Sequence, residues 1–325
     1  MLKLVFVDMD DTFLTPEKTI TPLNRQALDL AYERGIQFVP CTGRNHTGLP
    51  EELAHHPSVR YAVCCNGAIV RDLHENRNLR EVTLDHALLH SLWHDLQDRE
   101  VTFDLFADGG VFTARDRWNV IDEMDVSEAT RGIVTSVRTC CDKTVDQMID
   151  AAHSICRVNV FYLNEKDRRA VWDAVDARPE LTRASSLPCN VEITHAGADK
   201  GAGLAWLCNY LGVPVADTIA FGDSSNDIAM LRVAGDGVAM ANATAECRAV
   251  ADHVTASCED SGVARYLMGG KAPLRGGVGL SALLGYSAAP GTLGAPLRKG
   301  VDFRLVSKTA RTRRATTRQS ERKTA

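Results

Sequence analysis

The sequence has no apolar run approaching the ~18–20 residues that a membrane-spanning helix needs, which excludes a helical membrane protein. Its first apolar run, Leu4–Val7, is short and is ended by acids, which is not the pattern of a signal peptide. From both absences a soluble, cytoplasmic protein is expected. The ten cysteines contain no CxxC; Cys64-Cys65 and Cys140-Cys141 are adjacent pairs, and several others sit inside apolar runs. No disulfide framework is expected, and the thiols read as reduced and buried. His86, His90 and His94 recur every fourth residue, but no cysteine or carboxylate signature completes a zinc site, so they read as a solvated or partly buried helix face. Basic charge is scarce over most of the chain: residues 1–270 hold 25 Lys+Arg against 40 Asp+Glu, whereas the last 55 hold 12 against 2. An acidic body of this kind is a poor nucleic-acid binder.

What is present is enough apolar residue, 45% of 325, for two domains and a sizeable core. The most informative stretch is Leu4–Leu14, where an apolar run leads straight into Asp8, Asp10 and Asp11. A short apolar, β-branched run reads as a buried strand of a parallel sheet, and chemistry in such sheets collects at the carboxyl ends of strands. Carboxylates crowded there repel unless a cation sits among them, and oxygen-only ligands suit Mg²⁺. Thr21 reads as the N-cap and Pro22 as the first residue of a helix to about Arg34, stopped by Gly35. Ile36–Cys41 is a second strand, completing a βαβ unit, and it ends in Thr42-Gly43-Arg44. A hydroxyl, nearby backbone N–H groups and the planar Arg44 fork suit phosphoryl oxygens. Tyr61–Cys65 reads as a third strand, Asn66-Gly67 as a hairpin turn and Ala68–Arg71 as the returning strand.

Residues 83–189 change character. Helices are expected at Leu84–Asp98, Val145–Ala152 and Lys166–Ala177. Strands are expected at Val101–Phe106, Val111–Arg115, Ile133–Thr139 and Arg157–Leu163. Alternating strands predict an antiparallel sheet covered on one face. The first domain resumes near Asn190, with Val191–Ile193 strand-like and Asp199-Lys200-Gly201 opening a helix to about Leu211. Thr218–Phe221 reads as a further strand that ends in Gly222-Asp223-Ser224-Ser225-Asn226-Asp227, with a helix after it. Gly237–Met240, Asp252–Thr255 and a helix at Val263–Leu267 close the domain. From 269 onward the chain is rich in Gly, Pro, Ser and Ala, then in Arg, Lys and Thr. That composition reads as a disordered tail, with an anion-binding arm for nucleic acid or a membrane surface as the alternative.

Four stretches resemble, in order, the motifs of the haloacid dehalogenase (HAD) superfamily, and most closely its Cof-type (subfamily IIB) phosphatases. They are Asp8-Met9-Asp10-Asp11-Thr12, Thr42 with its Gly43-Arg44, Lys200, and Gly222-Asp223-Ser224-Ser225-Asn226-Asp227. Asp11 departs from the glycine most frequent at its position. The resemblance implies an α/β fold: a Rossmann-like parallel-sheet core over 1–82 and 190–268, an inserted α+β C2-type cap over 83–189, and the tail over 269–325. It also implies a Mg²⁺-dependent phosphatase. Asp8 would be the nucleophile and Asp10 the general acid and base. Asp8, Asp223, Asp227 and the main-chain carbonyl of Asp10 would serve the metal. Thr42, Gly43, Arg44, Asn66, Lys200 and Asn226 would serve the substrate. The expected partner is a small phosphorylated metabolite: a sugar phosphate first, then pyridoxal phosphate or flavin mononucleotide. No membrane partner is expected, and the protein is expected as a monomer or homodimer. A phosphomutase and a non-catalytic binding protein are the alternatives.

Overall fold

The computed structural model describes residues 3–269, which form two sheets and their covering helices. The first five strands are β1 (Leu4–Asp8), β2 (Gln37–Cys41), β3 (Tyr61–Cys64), β4 (Ile69–Asp72) and β5 (Arg77–Glu81). The chain then leaves to build a second sheet from β6 (Asp104–Ala107), β7 (Gly110–Ala114), β8 (Thr139–Cys141), β9 (Ile155–Phe161), β10 (Leu181–Ala184) and β11 (Asn190–His195). It returns as β12 (Thr218–Gly222), β13 (Asp236–Ala239) and β14 (His253–Val254). The first sheet runs β14-β13-β12-β1-β2-β3-β4-β5, with β1 parallel to both of its neighbours. Every residue of β1 is buried, as expected for a strand covered on both faces. From β1 the chain steps one way to β2 and later the other way from β12 to β14. Such a switch point opens a crevice at the carboxyl ends of the strands, where ligands bind in open α/β sheets.

Local signals set the helix after β1. The Thr21 hydroxyl accepts the Asn24 N–H at 3.2 Å, Pro22 takes the first turn, and Gly35 at φ +66° ends the helix Pro22–Glu33.

The second sheet runs β10-β11-β9-β6-β7-β8 and is antiparallel except between β7 and β8. Val158 and Val160 of β9 pack with Leu89, Leu92 and Trp93 of the helix His86–Leu96 and with Val171 of Glu165–Asp176. Phe106, Val111 and Cys156 instead join the apolar cluster of the first sheet. One face is thus covered by helices, and the other lies over the crevice as a cap.

The structure corrects the sequence reading in four places. Ile133–Thr139 is not a strand: residues Glu128–Ser136 form a helix, capped by Ser127, and the strand is only Thr139–Cys141. Its β-branched residues suggested a strand, but Val134 packs against Val120, Ile121 and Met124 from a helix, and packing overrides propensity. The strand expected at Val101 starts at Asp104, with Val101 held by a single bridge to Tyr162. Strands β5 and β10 were not expected. Asn190–His195 belongs to the second sheet, paired with β9 and β10, so the first domain resumes after His195 and not at Asn190.

All ten cysteines are free, most of them buried, and no helix of the described residues is long and apolar enough to cross a membrane. The basic C-terminal segment lies outside the described residues beyond Gly269.

Candidate active site

The register of the first sheet aligns the site. Asp8, the last residue of β1, is level with Cys41 on β2, and Val7 is level with Phe221 on β12. Thr42 and Asp223 therefore leave their strands on either side of Asp8. After Asp8 the chain turns back on itself: the Phe13 and Leu14 N–H groups return to the carbonyls of Asp8 and Met9, and Asp11 sits at φ +60°. That left-handed conformation is tolerated by aspartate and asparagine better than by other non-glycine residues, so acid can stand in place of glycine there.

Lys200 opens the helix Lys200–Leu211 and is fully buried. Its Nζ donates to Asp8 Oδ1 and Asp227 Oδ1, each at 2.6 Å. Burial disfavours its charge, but Asp227 and Asp8 outweigh that and hold the ammonium above the ordinary lysine range. Asp227 is folded back beneath Gly222, and its Oδ2 accepts the Asp223 and Ser224 N–H groups at 3.0 Å. A Cβ at residue 222 would overlap the Asp227 side chain, so this strand end requires glycine. Asp223 is held by two hydroxyls: Thr12 donates to Oδ1 at 2.8 Å and Ser224 to Oδ2 at 2.9 Å.

Asp8, Asp223 and Asp227 are all buried, with one carboxylate oxygen from each lying within 4.8 Å of the others. Among the described residues Lys200 alone pairs with them, so negative charge is in excess within this group. Burial, Asp227 and Asp223 push the Asp8 carboxyl well above its usual range, against the pull of Lys200. Burial and Asp227 push Asp223 up to about 6, against the hydrogen bonds from Thr12 and Ser224. A buried all-oxygen donor set with surplus negative charge fits a hard divalent cation such as Mg²⁺.

The other sequence-predicted residues take partners of their own. Burial raises Asp10, but Arg44 and Lys18 outweigh it and hold the carboxyl below the usual range. Arg44 Nε donates to Asp10 Oδ2 at 2.9 Å, Nη2 donates to Oδ1, and Lys18 Nζ lies 3.1 Å from the same Oδ1. The Arg44 fork is thus closed on Asp10 and, through Nη1, on the Gly48 carbonyl at 2.9 Å. The Thr42 hydroxyl accepts the Arg44 N–H at 3.0 Å, as a cap would. Asn66 follows β3 in a left-handed turn, as its Asn-Gly signal predicts, and Gly67 at φ +95° lies against the Asp199 carbonyl with no room for a Cβ. The Asn66 Nδ2 donates to Glu192, and its Oδ1 accepts from Asn226 Nδ2 at 3.2 Å. Asn226 therefore supports Asn66 and not Lys200, whose support is Asp227.

A cavity of about 760 Å³ lies over these residues, between the two sheets. Its floor includes Asp8, Asp10 and Arg44, and its roof includes Phe106, Val134, Arg138, Arg157, Asn159 and Phe161. The roof residues went unassigned in the sequence because they come from several elements and share no motif. Thr12 was visible as part of a motif, but its role needs a partner 211 residues away.

Comparison with known proteins places a match to the family of haloacid dehalogenase-like hydrolases over residues 5–267. Phosphatase YwpJ of Bacillus subtilis (strain 168) is 27% identical over 282 residues, covering 82% of this chain and 99% of that protein. Pyridoxal phosphate phosphatase YbhA of Escherichia coli (strain K12) is 27% identical over 287 residues, covering 82% and 97%. A solved haloacid dehalogenase-like hydrolase from B. subtilis superposes with a TM-score of 0.71 at 26% identity, covering 81% of this chain and 98% of that one.

Proposed function

The chain belongs to the haloacid dehalogenase-like hydrolases and is a phosphatase, and from that premise we propose that it hydrolyses small phosphorylated metabolites with Mg²⁺, through an aspartyl phosphate on Asp8. The observation that carries this reading is the gathering of Asp8, Asp223 and Asp227 at the ends of adjacent parallel strands, with Lys200 paired to Asp8 and Asp227. Asp8, Asp223 and the Asp10 main-chain carbonyl would hold the metal, with Asp227 completing the acidic group. Bound there, Mg²⁺ supplies charge neutralisation at the phosphoryl oxygens.

The chain's own residues do the rest. Lys200 fixes the rotation of the Asp8 carboxylate and adds positive charge where the phosphoryl group develops negative charge. An Asp8 oxygen attacks phosphorus, and the bond to the leaving oxygen breaks. Asp10 gives that oxygen a proton, then takes one from the water that cleaves the acyl phosphate and restores Asp8. The Thr42 hydroxyl and the Gly43 backbone N–H receive phosphoryl oxygens, while the Arg44 N–H orients the Thr42 hydroxyl. The Arg44 fork links the two tasks: a phosphoryl group that draws it from Asp10 relieves the charge that keeps Asp10 ionised. Asn66 and Asn226 reach the substrate only by exchanging the bond they make to each other.

Sugar phosphates are the first substrate class by resemblance. The cavity favours the ring-bearing candidates, pyridoxal phosphate and flavin mononucleotide, because Phe106, Val111, Val134, Phe161 and Leu187 give it an apolar wall. One relative is named for pyridoxal phosphate. The test is phosphate release from a panel of these compounds, with Mg²⁺ and with EDTA, by wild type and Asp8→Asn. Metal-dependent release abolished by Asp8→Asn is expected. Release that survives the substitution would overturn the mechanism, and a product that keeps the phosphoryl group on a sugar would indicate a mutase.

A further inference from the structure

Two charged side chains of the cap are buried against the first sheet, and neither belongs to the acidic group. Arg157 on β9 and Glu192 on β11 are 4% and 3% exposed, and Arg157 Nη2 lies 3.4 Å from Glu192 Oε1. The antiparallel register pairs Glu192 with Asn159, which sets Arg157 diagonally beside it on the same face. Each then reaches a different loop of the first sheet. Arg157 Nη1 donates to the Gly43 carbonyl, and Glu192 Oε2 accepts from Asn66 Nδ2. Glycine leaves room for this approach: a Cβ on Gly43 would stand 2.8 Å from Arg157 Nη1 and 3.0 Å from Glu192 Oε2, so both side-chain ends would have to shift. The two loops are also joined to each other, since the Asn66 N–H donates to the Thr42 carbonyl at 3.1 Å. Asn66 Oδ1 accepts from Asn226, the neighbour of Asp227.

A buried ion pair is a poor device for stability alone, because well-packed apolar residues of similar volume hold two layers together as well or better. Here Arg157 Nε is also buried without a hydrogen-bond partner, which adds a desolvation cost. Glu192 is nonetheless kept charged: burial raises its carboxyl, but Arg157, Ser186 and Asn66 outweigh that and hold it below the usual range. What the pair supplies and an apolar contact does not is direction. We propose that Arg157 and Glu192 are positioning residues that hold the Thr42-Gly43 loop, the Asn66 turn and, through Asn226, the Asp227 turn in the arrangement that receives the phosphoryl group. The inference rests on reading those loops as the phosphoryl site. It makes the cap part of that site and not only a roof over the leaving group.

The test compares wild type with Arg157→Met, Glu192→Leu and Glu192→Gln. Each is assayed with Mg²⁺ for kcat and KM on p-nitrophenyl phosphate and for inhibition by inorganic phosphate. Inorganic phosphate has no leaving group, so its inhibition constant reads the phosphoryl site alone. In Arg157→Met and Glu192→Leu, kcat is expected to fall and the phosphate inhibition constant to rise, each roughly tenfold or more. Glu192→Gln, which keeps an acceptor for Asn66, is expected to recover part of both. Folded variants with wild-type kcat and wild-type phosphate inhibition would overturn the proposal. So would a loss confined to KM, which would make the two residues leaving-group contacts only. If Glu192→Leu does not fold, a double-mutant cycle of Arg157→Met with Asn66→Ala replaces it, one removing the hold on the Gly43 loop and the other the hold on the Asn66 turn: coupling in kcat supports the proposal and additivity overturns it. Calorimetric titration of inorganic phosphate onto the same proteins keeps this test separate from the parent reading. A wild type that turns nothing over would sink the phosphatase mechanism, whereas equal phosphate affinity in wild type and variants would sink the positioning role.

Discussion

Replacing Lys200 by methionine removes, from a buried group of three acids, the cation that pairs with two of them. Lys200 is 0% exposed, as is Asp227, and Asp8 is 6% exposed; both ion pairs are 2.6 Å long. Methionine fills similar volume, so little packing is lost, and what changes is charge. Breaking a buried pair by removing one partner costs about 3–5 kcal/mol, since the other partner stays buried and uncompensated. For chains of ~150–250 residues, each kcal/mol moves Tm by roughly 2–4 °C. The metal-free variant should therefore melt about 6–20 °C below wild type. Mg²⁺ then has more surplus charge to neutralise, so it should raise the Tm of Lys200→Met by more than that of wild type. The assay is a circular-dichroism melt of both proteins in EDTA and in Mg²⁺, with phosphate release as a second reading. A variant that melts with wild type in EDTA would refute the reasoning, because the two short ion pairs would then be contributing nothing.

Asp8→Asn should abolish turnover and yet raise Tm in EDTA, since it relieves the repulsion among Asp8, Asp223 and Asp227; a lower Tm would contradict the crowding. Thr12→Val leaves Asp223 Oδ1 without its donor and should weaken Mg²⁺ affinity about 10–100-fold, read as the Mg²⁺ concentration that half-activates the enzyme. The metal-free protein should gain stability as pH falls from about 7 towards 5. Asp223 is raised to about 6 in the folded state from an ordinary 3.8, so the folded state binds more protons in that window, and stability rises as protons become available. Asp223→Asn should flatten this slope in urea titrations at pH 5 and 7, and an unchanged slope would assign the effect elsewhere. Gly222→Ala forces a Cβ into the Asp227 side chain and should cost activity together with the Lys200 pair, seen as low kcat and a lowered EDTA Tm.

The residues of the acidic group were legible in the sequence because each signal is local. An apolar run ending in Asp8, in Thr42 or in Gly222-Asp223 marks both a strand and its carboxyl end, and a parallel sheet brings such ends to one edge. The Thr21-Pro22 start and Gly35 stop were legible for the same reason, since capping is decided within a few residues. Residues 133–139 were misread because β-branched residues predict a strand only where packing agrees, and Val134 packs as part of a helix.

The sequence by itself determined the order of the elements, the strand ends at which the acidic residues gather and the residue types delivered there. Only the tertiary structure decided who meets whom. It closed the Arg44 fork on Asp10, tied Thr12 to Asp223 across 211 residues, and moved the Val191–Ile193 strand from the first sheet to the second. It also set Arg157 and Glu192 of the cap against Gly43 and Asn66. A run of residues carries its own periodicity and its own stop signals, but it does not carry the identity of a partner far along the chain. Those partners are chosen by which buried polar groups are left unsatisfied once the sheets have packed, and that depends on the whole fold.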